Sequence, residues 1–249
     1  MSGTRSPSPR APATDRSVIV VSHGQPSDPG PAEAELAGLT ARIAALLPGW
    51  QVQSATLAAP DALPAALESA GPAPLIYPHF MTEGWFTQTA LPKRIGNPAA
   101  RILPPFGTDP SLPALARDWL AGELAAQGWQ AGETCLIVAA HGSGRSRNSA
   151  RATEAFAKAL SDLIEFAEVR LGYIEEPPYL GDVVFGTGDR AICLPFFAAA
   201  GGHVIDDIPE ALDLADFPGL RLQPIGTHPK VAELIAAALQ AAVQPATPA

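Results

Sequence analysis

Short, nearly continuous apolar runs alternate along this chain with stretches whose apolar positions recur every three or four residues. The runs Val18–Val21 and Cys135–Ala140 each end at a His-Gly pair. After the first, Leu36, Leu39, Ile43, Leu46 and Leu47 fall at helical spacing; after the second, Phe156, Leu160, Leu163 and Ile164 do the same. Further strands are predicted at 52–57, 74–77 and 101–103, and again at 168–174, 190–194 and 220–224. A last helix starts at Pro110 in one half and at Pro229 in the other, since proline suits a first helical turn. Its apolar stripe is Leu112, Leu115 and Trp119, or Val231, Leu234, Ile235 and Leu239.

The two series repeat one another. His23 answers to His141, Pro78-His79-Phe80 to Pro195-Phe196-Phe197, Gly84 to Gly201, and Gly107-Thr108 to Gly226-Thr227, in one order and at a nearly constant offset. The chain therefore reads as a duplicated unit. Its parts are a tail at 1–16, a first unit at 17–126, a second at 133–243 and a tail at 244–249, with glycines 128 and 132 marking the linker. The first 16 residues lack the apolar stretch of a secretory signal. Strand–helix alternation with strands apolar throughout predicts an α/β fold: two similar Rossmann-like units, each a parallel sheet flanked by helices, facing a central cleft. Ligands of such sheets bind beyond the carboxyl ends of the strands. His23, His141, Glu175, Pro195 and His203 all follow strand ends and are expected on one rim.

Composition narrows the function. With 47% hydrophobic and 16% charged residues the chain can bury a core, so wholesale disorder is excluded. A formal net charge of −9 argues against nucleic acid as a partner. No apolar run approaches the ~20 residues of a membrane helix. The two cysteines, Cys135 and Cys193, lie in apolar runs and fit buried free thiols of a reducing cytoplasm. Duplication within one chain lets a monomer form the whole cleft.

The histidines carry the main chemical signal. His141 directly follows a buried strand, and His203 follows a glycine-containing loop whose Gly201 and Gly202 permit unusual backbone angles. Glu175 and Glu176 end a neighbouring strand, so either carboxylate is in reach. Two imidazoles and a carboxylate with open positions suit a divalent first-row metal that is bound and released. The first unit keeps His23 but has Phe86 where the second has His203; His23 and His79 are its candidates for a vestigial site. Trp85 and Phe86 offer a flat apolar wall, so the second half is expected to hold the metal and the first a planar ligand. Downstream of His141, Ser143 and Arg145, Arg147 and Arg151 form a local anion-binding stretch in an otherwise acidic chain. Neither a Walker A sequence nor a complete dinucleotide loop is present. His228 reads as a helix-start residue.

Taken together, His141-Gly142-Ser143, Glu175 and the string from Pro195-Phe196-Phe197 through Gly201-Gly202-His203-Val204 to Asp207-Ile208-Pro209 resemble the sirohydrochlorin chelatases. These are the ATP-independent class II tetrapyrrole chelatases of cobalamin and siroheme synthesis, here in their long, duplicated form. The resemblance implies a lyase-type enzyme that inserts Co2+ or Fe2+ into sirohydrochlorin. It needs no cofactor besides the metal substrate and no ATP. It implies His141, His203 and Glu175 as catalytic and metal-binding residues. Ser143, Arg145, Arg147, Arg151, Gly201, Gly202, Trp85 and Phe86 would bind substrate. The degenerate first half also allows a metal or tetrapyrrole carrier without turnover. The same residues are compatible with a chelatase for another porphyrin, and Ser143 with a hydrolase.

Overall fold

The structure is a computed structural model and describes residues 16–144 and 146–244. The two predicted tails, apart from Arg16 and Gln244, lie outside the described residues, as does Arg145. The first unit runs β1 (Ser17–Ser22), α1 (Pro29–Leu46), β2 (Gln51–Thr56), α2 (Ala62–Ala70) and β3 (Leu75–Pro78). A π-helical turn (Phe86–Ala90) leads into α3 (Leu91–Ile95), β4 (Arg101–Ile102) and α4 (Leu112–Gln127). The second unit repeats the order: β5 (Cys135–Ala140), α5 (Asn148–Ser161), β6 (Glu168–Tyr173), α6 (Leu180–Val184) and β7 (Ala191–Pro195). A second π-helical turn (His203–Asp207) is followed by α7 (Ile208–Leu214), β8 (Leu220–Arg221) and α8 (Val231–Val243).

Each unit is a four-stranded parallel sheet, ordered β2-β1-β3-β4 and β6-β5-β7-β8. The strand order reverses between β1 and β3, and between β5 and β7, so the loops after these strands flank a switch point. The central strands are apolar on both faces because both faces are covered. Val18 and Val20 enter one cluster and Ile19 and Val21 another; Leu136, Val138 and Ala140 part from Cys135, Ile137 and Ala139 in the same way. The cluster holding Val18 and Leu136 also holds apolar residues of α1, α4, α5 and α8, so one core joins the units. Across it α1 packs on α8 and α4 on α5.

Several boundaries differ from those the sequence predicts. The closing helices begin at Leu112 and Val231, beyond Pro110 and Pro229, and in α4 it is Pro113 that occupies the first turn. Leu163 and Ile164 lie past the end of α5, and Leu163 is exposed. The short helices α2 and α6 carry too few apolar periods to stand out in the sequence. Gly128 closes α4 in the left-handed conformation, where the break in pattern falls. Both thiols are free and buried, and burial pushes Cys193 up to about 12.

Candidate metal centre

β5 delivers His141 to the rim, and the β5–β6 ladder continues past both strands. Ile174 donates its N–H to Ala140 O (3.1 Å) and Glu175 donates to His141 O (2.9 Å), which sets Glu175 beside His141. Gly142 then turns the chain with φ +72°, and a Cβ there would lie 2.9 Å from Glu176 Cγ and Tyr173 Cβ. Glu176 Oε1 accepts the Ser143 backbone N–H at 2.9 Å. Of the two consecutive carboxylates, Glu176 thus fastens the loop and Glu175 joins the histidines. Gly142→Ala is expected to cost about 2 kcal/mol, because an L side chain is strained there and the Cβ displaces Tyr173 or Glu176. Urea unfolding checks this, and an unchanged midpoint would contradict it.

His203 opens the π-helical turn rather than ending a loop, with Gly202 immediately before it. Its Nδ1 bonds the Asp207 carboxylate one turn on. A carboxylate only accepts, so Nδ1 carries a proton and Nε2 is the nitrogen left to face a metal. His141 is set the same way: its Nδ1 donates to the Gly142 carbonyl at 2.9 Å. The two rings meet edge to face with centroids 4.4 Å apart, and His203 Nε2 lies 3.9 Å from Glu175 Oε1. One ligand atom each from His141, Glu175 and His203 falls within 4.8 Å of the others. This is a three-ligand set with room for further ligands. Asp207 is a site residue that sequence reasoning misses, although an acid four residues after a histidine in a helical segment is the signal for it.

The first unit shows the same frame stripped of its ligands. His23 O accepts the Ala58 N–H at 2.9 Å, so Ala58 stands where Glu175 stands. Phe86 opens the matching π-helical turn and packs on His23 with centroids 4.4 Å apart. The first unit has therefore lost two of three groups. Burial, with Arg94 nearby, holds His23 below its ordinary range. The displacement relating Pro78 to Pro195 also relates Ala58 to Glu175, so this second loss is readable from the repeat.

Other predicted residues do not join the cluster. His79 is buried, not part of a vestigial site with His23; its Nε2 meets Ala198 O of the second unit at 2.9 Å. Trp85 and Phe86 meet at 75°, so they form no flat wall; Trp85 is exposed while Phe86 packs against the core under His23. Gly201 and Gly202 are not among the glycines with positive φ, contrary to the expectation of unusual angles, and nothing crowds Gly201. Arg147 precedes α5, exposed and 3.8 Å from Glu154; Arg151 is also exposed. A cavity of about 750 Å3 lies elsewhere, lined by Tyr77, Asp109, Trp119, His228 and Lys230 among others, and shares no residue with the cluster. At its side His228 packs on Trp119 at a tilt of 47° and its Nδ1 accepts the Lys230 N–H at the start of α8, the helix-start role expected of it.

The CbiX family model matches residues 135–242, the half that carries the cluster. Over 92% of this chain and 100% of the other, the fold matches the structure of CbiX, the terminal enzyme for biosynthesis of siroheme in denitrifying bacteria, with 46% identity and a TM-score of 0.85. The chain belongs to the CbiX family. A "Probable sirohydrochlorin cobaltochelatase" of Halobacterium salinarum is 36% identical over 76 residues, a match spanning 30% of this chain and 26% of that protein's length. SirB of Bacillus subtilis, solved with Fe3+, shares the fold with a TM-score of 0.71 at 16% identity, over 90% of this chain and 94% of that one. The same sheet order is present twice in this chain, and the second copy, which the family model matches, holds the His141–Glu175–His203 set. No helix among the described residues is long and apolar enough to cross a membrane.

Proposed function

We propose that this chain inserts a divalent metal ion into sirohydrochlorin, without ATP, with the reaction centred on His141, His203 and Glu175. The observation that carries this reading is the convergence of one ligand atom from each of two imidazoles and one carboxylate within 4.8 Å, with each imidazole oriented by the partner of its Nδ1. Three ligands hold a metal ion while leaving positions for water, and then for pyrrole nitrogens. Metallation releases two pyrrole protons for each metal ion that enters. Glu175, half exposed, is suited to take one and pass it to solvent; an imidazole freed of the metal takes the other. Arg147 and Arg151 are exposed and suited to reach substrate carboxylates, and Arg145 belongs to the same stretch of sequence. Trp85 offers one exposed ring to the macrocycle, and the open space at Gly201 leaves the approach to His203 clear.

Fe2+ is the proposed metal, because the relative matched over its whole length is a terminal enzyme of siroheme biosynthesis. Co2+ is the competing substrate, as the Halobacterium relative's name implies. The test is anaerobic absorption spectroscopy of the protein with sirohydrochlorin and Fe2+ or Co2+ in turn. Acceleration above the uncatalysed rate is expected with both, and faster with Fe2+. Metal and tetrapyrrole binding without any acceleration would overturn the enzyme in favour of a carrier.

A further inference from the structure

The first unit lacks two of three metal ligands, yet it touches the second unit at the loops that carry the surviving pair. His79 ends up buried at the seam, 4% exposed, with Nε2 2.9 Å from Ala198 O. A carbonyl only accepts, so Nε2 carries the proton and Nδ1, which has no hydrogen-bond partner among the described residues, does not. Ala198 lies in the loop from β7 to His203. The same loop is held from its own unit: Phe197 O accepts the Gly226 N–H at 2.9 Å, and a Cβ on Gly226 would lie 2.0 Å from Ala198 O. That carbonyl is thus fixed between Gly226 and a donor from the other unit.

Three residues after His79, the first unit makes a second contact. Thr82 Oγ1 donates to Asn148 O at 3.0 Å, and Asn148 Nδ2 donates to Glu83 O at 2.9 Å. Asn148 begins α5 and is the far end of the loop that starts at His141. One five-residue segment, 79–83, therefore grips the His203 loop at one end and the His141 loop at the other.

The arrangement has a direction. In the first unit the counterpart of Ala198 is Met81, crowded in the same way by Gly107, whose virtual Cβ lies 2.1 Å from Met81 O. The residue matching His79 is Phe196, which has nothing to donate. The donor runs from the unit without a metal set to the unit that has one.

We infer that the 79–83 segment is a brace by which the first unit fixes the spacing of His141 and His203, with His79 and Thr82 as positioning residues. The inference rests on the metal site proposed above. Rigid spacing matters there because a metal ligand set loses affinity when groups behind the ligands are released, by about 10–100-fold for outer-shell partners.

The test is Co2+ titration of the full-length protein without tetrapyrrole, read by the visible ligand-field band, beside thermal melting. His79→Phe with Thr82→Val is expected to weaken Co2+ binding by roughly tenfold or more and to change the band shape. His79→Gln with native Thr82, which restores an N–H donor, is expected to recover most of the affinity. If the double variant does not melt cooperatively, Thr82→Val with Asn148→Ala, at half-buried positions, is expected to weaken Co2+ binding several-fold and supplies the comparison. A wild type that binds Co2+ beside folded variants that bind it equally well, with the same band, would overturn the brace alone. A wild type that binds no Co2+ overturns the site and the brace together.

Discussion

His203→Ala and His141→Ala are each expected to lower the rate of metal insertion roughly 10²–10⁴-fold, with the fold intact. Each removes one of two nitrogen ligands from a set of only three, and with it a proton acceptor at the point where pyrrole protons leave. Glu176, the next carboxylate in the chain, is bound to the loop through the Ser143 N–H and does not stand in for either imidazole. His23→Ala is the control. Its ring faces Phe86 and no carboxylate stands at Ala58, so the rate is expected to stay within about twofold. Anaerobic metallation kinetics with circular dichroism of each variant measures this. A near-normal rate for His203→Ala would remove the second-unit centre from the mechanism, and a large loss for His23→Ala would move it to the first unit.

The second large effect is on stability in acid. Burial lowers the His79 pKa from 6.5 to about 4, against the smaller opposing effect of its hydrogen bond to Ala198. Protonating Nδ1 would leave a buried N–H with no acceptor among the described residues. Below pH 6.5 the unfolded chain takes up this proton and the folded chain does not. The stabilisation from keeping His79 neutral is therefore whole above pH 6.5 and is lost as pH falls toward 4. The loss is about 2 kcal/mol by pH 5 and about 3 kcal/mol by pH 4. Urea unfolding from pH 7.5 to pH 4.5 should show a shallower fall for His79→Gln than for the wild type, whatever the variant's stability at neutral pH. Equal slopes would mean that His79 protonates freely in the folded state.

The acid effect and the brace have one physical origin. A histidine buried at the seam between two units resists taking up a second proton and keeps its Nε2 on the Ala198 carbonyl. That rigidity is useful to a centre built from two loops. His141 and His203 come from different strand ends, and nothing within the second unit ties Asn148 to Ala198 directly among the described contacts.

The sequence alone determined the duplication, the eight strands and their parallel sense, and the pairing of His141 with His203. All of these rest on local periodicity or on the repeat, and neither depends on how the units pack. It also showed that Phe86 replaces a ligand, since the repeat aligns it with His203. Tertiary structure decided what local pattern cannot carry. Which of Glu175 and Glu176 faces the histidines depends on how the extended β5–β6 ladder turns each residue at the strand end. That His203 heads a π-helical turn, bringing Asp207 onto its Nδ1, depends on the turn's pitch. That His79 serves the second unit rather than a relic of the first depends on a contact 119 residues away in the chain, which exists only once α1, α4, α5 and α8 have closed the two sheets onto one core.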